Sequence, residues 1–136
     1  MKRDLIGILT CVAILVAVSS CATEPLAPGQ LRLLRASIPG PGVVYLGTRS
    51  EVNITFVADG RPTMRRVCFS YPLLREGPYC SAINPKDVEF GSPGSIKAII
   101  PAPSRSGPSR SECYVEYWQD TKTLRTNVLN FSVVVH

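Results

Sequence analysis

From Leu31 onward the chain is a succession of short apolar or alternating runs, each closed by proline, glycine, serine or aspartate. No window carries a helical stripe longer than about two turns, so the periodicity predicts strands throughout. The clearest is Glu51 to Ala58, where Val52, Ile54 and Phe56 share one face and Asn53 and Thr55 the other, before Asp59-Gly60-Arg61-Pro62 turns the chain. Leu31 to Ile38 precedes it, ended by Pro39-Gly40-Pro41-Gly42 and resumed as a short Val43 to Leu46. Arg65 to Tyr71 keeps Val67, Phe69 and Tyr71 in phase, followed by a return segment from Tyr79 to Ile83 and a brief Val88-Glu89-Phe90. Ser95 to Ile100 places Ile96, Ala98 and Ile100 on one face, and Pro103 to Arg110 reads as a loop. Glu112 to Trp118 then carries Cys113, Val115 and Tyr117 in phase, which turns Tyr114 and Trp118 outward. Asp120-Thr121-Lys122-Thr123 is the turn that pairs it with Asn127 to Val135, where Leu129, Phe131, Val133 and Val135 alternate.

The first twenty-one residues follow another pattern. Met1-Lys2-Arg3-Asp4 is charged, Leu5 to Val18 is uncharged and largely apolar, and two serines lead to Cys21. These are the three parts of a secretory signal peptide. As a helix the apolar run reaches about 21 Å against roughly 30 Å of hydrocarbon, too short for a stable span. Val18-Ser19-Ser20-Cys21 resembles the lipobox of bacterial lipoproteins, in which an aliphatic residue and two small residues precede a cysteine. The resemblance covers residues 1–21 and implies cleavage before Cys21, diacylation of its thiol and, usually, acylation of the new amino terminus. The competing reading is an ordinary secreted protein in which Cys21 is incidental; Cys11, inside the apolar run, shows that a cysteine alone means nothing. Several acyl chains make a durable anchor, so the resemblance implies a membrane-bound protein that spans nothing. In enterobacterial members of the family an aspartate after the lipidated cysteine retains the protein at the inner membrane. Ala22 stands there, implying the outer membrane in an organism that has one. Cys21 to Gln30, with two prolines and a glycine, reads as a tether able to hold a domain up to about 30 Å from the bilayer. The expected organisation is a signal peptide over 1–20, lipidated cysteine and tether over 21–30, and one domain over 31–136.

Seven or eight short strands in about 105 residues suit an all-β sandwich. The order resembles bacterial immunoglobulin-like domains: Val52-Asn53-Ile54-Thr55-Phe56 at the second strand, Cys113-Tyr114-Val115-Glu116-Tyr117 at the sixth, Asn130-Phe131-Ser132-Val133 in the last. Three marks of antibody domains are missing. Phe69 replaces the buried tryptophan of the third strand, the second strand has no cysteine, and Ser111 replaces the tyrosine two residues before the sixth-strand cysteine. A small β-barrel is the alternative fold.

Besides the anchor, the mature chain keeps Cys68, Cys80 and Cys113, and an exported compartment favours oxidation. A hairpin of Arg65 to Tyr71 with Tyr79 to Ile83 puts Cys68 roughly opposite Cys80, a spacing that suits a disulfide. The alternatives are a bond through Cys113, or none. Phase places Cys113 inward, as a buried thiol.

Charge adds little. Fifteen Lys and Arg against ten Asp and Glu become thirteen against nine once Lys2, Arg3 and Asp4 leave, a mature excess of four. It is spread along the chain with no run beyond Arg65-Arg66, so no nucleic-acid footprint is expected. A mild attraction to anionic lipid headgroups or anionic polymers is the weaker alternative to a simply solvated surface. Catalytic chemistry is poorly provided for. The one histidine, His136, is the last residue, and the cysteines lack metal-ligand spacing. Glu112 and Glu116 sit about 13 Å apart along a strand, outside the range of paired-carboxylate chemistry. No enzyme, metal or cofactor is expected. The outward Tyr114 and Trp118 are the one surface feature above background, since aromatics are enriched at binding sites. The expectation is a lipid-anchored binding or assembly module contacting an envelope protein or polysaccharide, with a passive spacer lipoprotein as the alternative.

Overall fold

Residues 25–136 are described by a computed structural model. The lipobox Val18-Ser19-Ser20-Cys21 and the segment before it lie outside the described residues. The strands are β1 (Leu31–Ser37), β2 (Val43–Val44), β3 (Arg49–Ala58), β4 (Thr63–Tyr71) and β5 (Glu76–Ala82), of which β5 is exposed almost throughout and is a strand by pairing with β4 rather than by alternation. The chain continues through β6 (Val88–Glu89), β7 (Gly94–Pro101), β8 (Gly107–Gln119), β9 (Lys122–Arg125) and β10 (Leu129–Val135), with alternation clearest in β7 and β10. They form two sheets, ordered β1-β3-β7-β6 and β2-β10-β8-β4-β5, with β9 also paired to β8. Read as immunoglobulin strands, these are A-B-E-D against A′-G-F-C-C′, so the fold is an immunoglobulin-like β-sandwich. The sheets keep separate edges, which sets aside the barrel. The chain changes sheet between β1 and β2, and β2 runs parallel to β10.

Inward positions meet between the sheets. Val52, Ile54, Phe56, Ile96 and Ile100 face Val67, Phe69, Tyr71, Val115 and Val133, all essentially without solvent exposure. Burying each such side chain contributes roughly 1.5–3 kcal/mol, the main source of stability. The missing antibody marks have local substitutes. Phe69 lies across from Cys113 and meets Phe131 edge to face at 6.3 Å. Buried Ser111 donates its hydroxyl to the Ser70 carbonyl at 3.0 Å, and Tyr71 donates to the Pro101 carbonyl of the opposite sheet at 2.8 Å. Cys68 and Cys80 are directly opposite and joined, Sγ to Sγ 2.03 Å, while Cys113 is free and buried.

Three segments differ from the sequence reading. Gly107 to Arg110, expected as loop, belongs to β8 and pairs with Ser132 to Val135. The apolar alternation of β10 supplies the burial there, so its partner needs only backbone and small inward serines. The turn after β8 is only Asp120-Thr121, with Asp120 in left-handed backbone (φ 56°), so Lys122 and Thr123 already belong to β9.

The third concerns the tether. Gln30 closes a turn onto Ala27 (3.0 Å), Gly29 N–H donates to Asp59 Oδ2 (2.9 Å), and Asp59 N–H donates to the Gln30 carbonyl (2.9 Å). The Gln119 side-chain amide donates to the Pro28 carbonyl. Ala27 to Gln30 are thus held on the β3–β4 and β8–β9 turns, because a local turn leaves backbone groups that the neighbouring polar side chains satisfy. The backbone conformation at Gly29 favours glycine. Its φ is +72° and a Cβ would stand 2.9 Å from Gln119 Nε2.

Between β9 and β10 the ladder is broken. Thr126 N–H donates to the Val115 carbonyl, while the Thr126 hydroxyl accepts from Val115 N–H, each at 2.9 Å. Asn127 reaches across to the other sheet. Its Oδ1 accepts from Leu33 N–H at 2.8 Å and its Nδ2 donates to the Leu33 carbonyl at 2.9 Å, beside the irregularity between Leu33 and Arg35 in β1.

Candidate functional site

The outer face of the larger sheet gathers the chemistry. Along β8 the outward residues are Glu112, Tyr114, Glu116 and Trp118; β4 lies on one side of them and β9 and β10 on the other. Trp118 is flanked by Thr63 and Thr123, Glu116 by Arg66 and Arg125, and Tyr114 by Cys68. Thr63, Glu116 and Cys68 therefore belong to successive rows of one sheet face.

A bulge brings two arginines to one carboxylate. Met64 packs against the core and Val67 is buried, an odd spacing that a regular strand does not allow. The register shift between Met64 and Arg66 resolves it, so that Arg65 and Arg66 both reach Glu116. Arg66 grips it in a fork, Nε to Oε1 at 2.6 Å and Nη2 to Oε2 at 3.2 Å, and Arg65 Nη1 stands 3.6 Å from Oε1. Hydrogen bonding from Arg66, then the charges of Arg66, Arg65 and Arg125, hold the Glu116 carboxyl below its ordinary value against the opposing effect of burial. The Glu116 side chain is only 10% exposed, whereas Arg66 and Arg65 remain 44% and 47% exposed, so the carboxylate is covered while the guanidinium groups still meet water.

Both aromatics carry a guanidinium. Arg125 Cζ lies 4.1 Å from the Tyr114 ring centroid and Arg65 Cζ 5.8 Å from that of Trp118. Trp118 donates its indole N–H to Thr123 Oγ1 at 3.1 Å and remains 45% exposed, whereas Tyr114 is half-buried. Placement of Tyr114 and Trp118 on one outward face follows the sequence phase. The three arginines around them were missed. The odd step from Met64 to Val67 was the signal that could have found Arg65 and Arg66, whereas Arg125 arrives on β9 with no such trace.

No protein-family model and no curated protein sequence matches this chain. Concavities also lie elsewhere on the described residues. An open groove of about 510 Å³ beside β5 is lined by Arg49, Tyr79, Cys80, Ile99 and Pro101. Next to it Glu76 accepts from Ser104 N–H at 3.0 Å and from the Ser104 hydroxyl, which hold its carboxyl below the ordinary range. A smaller, more apolar cleft of about 230 Å³ lies between Met64, Ile83, Val88 and Phe90, with Arg61 over the Phe90 ring at 5.1 Å. Among the described residues no cluster of three His, Cys, Asp or Glu side chains is placed to hold a metal ion.

Proposed function

We propose that this protein is a lipid-anchored, non-catalytic module of the bacterial cell envelope that binds or assembles with envelope components through the Tyr114–Trp118 face. The observation that carries it is the pairing of an exposed Trp118 and a half-buried Tyr114 with Arg65 and Arg125 on one sheet face. Tryptophan, tyrosine and arginine are the residues most enriched where binding energy concentrates. The lipobox resemblance at Cys21 supplies the anchor, and the Cys68–Cys80 bond agrees with an oxidising, exported compartment. The spacer reading has one observation in its favour: Arg66, Arg65 and Glu116 already satisfy one another without a ligand.

Two measurements test the proposal. Mass spectrometry of the mature protein should find an acylated Cys21 at the amino terminus, and Cys21→Ser should release the protein from membranes. An unmodified Cys21 refutes the anchor. Wild type and Trp118→Ala are then purified from detergent extracts of the envelope, and co-purifying protein, polysaccharide and lipid are quantified. Identical profiles for the two proteins would leave only the spacer.

A further inference from the structure

The chain enters the sandwich at one pole. Ala27 to Gln30 are bonded to Asp59 in the turn after β3, and Pro28 to Gln119 at the end of β8. Trp118 is the residue before Gln119, so the entry point and the exposed indole share that pole. Six residues separate Cys21 from Pro28, seven chain steps with a reach of at most about 25 Å even when fully extended. A lipid on Cys21 therefore holds this pole, and not the opposite one, near the bilayer.

Charge on the face suits the same surface. Arg65, Arg66 and Arg125 surround a single carboxylate, Glu116, which leaves an excess of two positive charges beside Trp118. The flanking turns are balanced, Asp59 by Arg61 and Asp120 by Lys122. Guanidinium groups pair with phosphate in a planar fork, and tryptophan settles at the headgroup level of membranes. We propose that the Trp118 face docks on the anionic phospholipid headgroups of the bilayer that carries the anchor, so that the domain lies against the membrane. This rests on the lipoprotein reading and names the first envelope component that the face meets.

Trp118 is the only tryptophan in the chain and so reports on its own contact. The full-length lipidated protein is reconstituted into vesicles of phosphatidylcholine alone or of phosphatidylcholine with phosphatidylglycerol, and quenching of its fluorescence by acrylamide is measured. The anionic vesicles should protect Trp118 and shift its emission to the blue. At about fivefold per uncompensated arginine, the ratio of docked to undocked protein should rise about 25-fold. About 1 M salt, where the screening length is about 3 Å, should reverse the protection. The double variant Arg65→Gln/Arg125→Gln should float with the vesicles yet lose protection. Arg110→Gln, on the same face at the opposite pole, should behave as wild type.

Equal quenching in both vesicle types, in protein that floats with them, overturns the docking and leaves the anchor standing. Protection that appears only on adding envelope protein or polysaccharide assigns the face to that partner and also overturns it. Protein that does not float removes the anchor, and the docking with it.

Discussion

Replacing Asn127 by alanine removes both hydrogen bonds that connect the segment before β10 to Leu33 of the other sheet. Leu33 is buried, so its N–H and carbonyl lose their partners in a place poorly reached by water. An orphaned buried group costs about 1–3 kcal/mol, but Asn127 itself is exposed and its removal admits water from outside. The expected loss is therefore about 2 kcal/mol for the pair, near the lower limit. For a domain of this size that corresponds to a fall in Tm of roughly 8 °C. Asn127→Asp keeps the acceptor for Leu33 N–H and gives up the donor, so it should fall between. Asn130→Ala, exposed on β10, should stay within about 0.5 kcal/mol of wild type. Urea unfolding followed by circular dichroism reads all three, with the midpoint moving and the slope unchanged. An Asn127→Ala variant within about 0.5 kcal/mol of wild type would show that the clamp contributes nothing and that the two sheets are held by apolar packing alone.

The Glu116 carboxyl lies below its ordinary value when folded, so its pairing adds stability above the unfolded carboxyl value of about 4.3 and loses it as pH falls through the lower folded value. Tm measured from neutral pH into the acid range should therefore fall less steeply for Glu116→Gln than for wild type; parallel curves would remove the ion pair from the account. Burial pushes the Cys113 thiol up to about 12, so alkylation at neutral pH should modify it only after unfolding, and non-reducing peptide maps should link Cys68 to Cys80 alone. Reducing that bond should cost up to about 3 kcal/mol by the entropy of the short loop it closes.

The periodic part of the sequence carried most of the fold. Alternation at Val52, Ile54 and Phe56, or at Val67, Phe69 and Tyr71, follows directly from burying one face of a strand, and the opposition of Cys68 to Cys80 follows from hairpin register. Interruptions of the period were less legible. Gly107 to Arg110 has no apolar alternation of its own and is a strand because β10 supplies both the hydrogen bonds and the burial. Ala27 to Gln30 has tether composition, yet Asp59 and Gln119, distant in sequence, hold it. The candidate site divides in the same way. The outward aromatics came from phase, whereas Arg125 and the bulged Arg65 reach them through a neighbouring strand and a register shift. Long-range contacts of that kind leave only faint local traces.

The sheet edges bear on behaviour at high density. An open strand edge is a template on which a second molecule can add, and proteins confined to a surface meet one another often. Here β2 and β6 are each two residues long, β5 carries Pro78, which has no N–H to offer, and β1 is irregular between Leu33 and Arg35. Among the described residues each free margin, the four-residue β9 included, is thus short, interrupted or lacking a donor. Molecules crowded side by side would find no long ladder from which a fibril could grow, and could be packed closely while remaining separate particles.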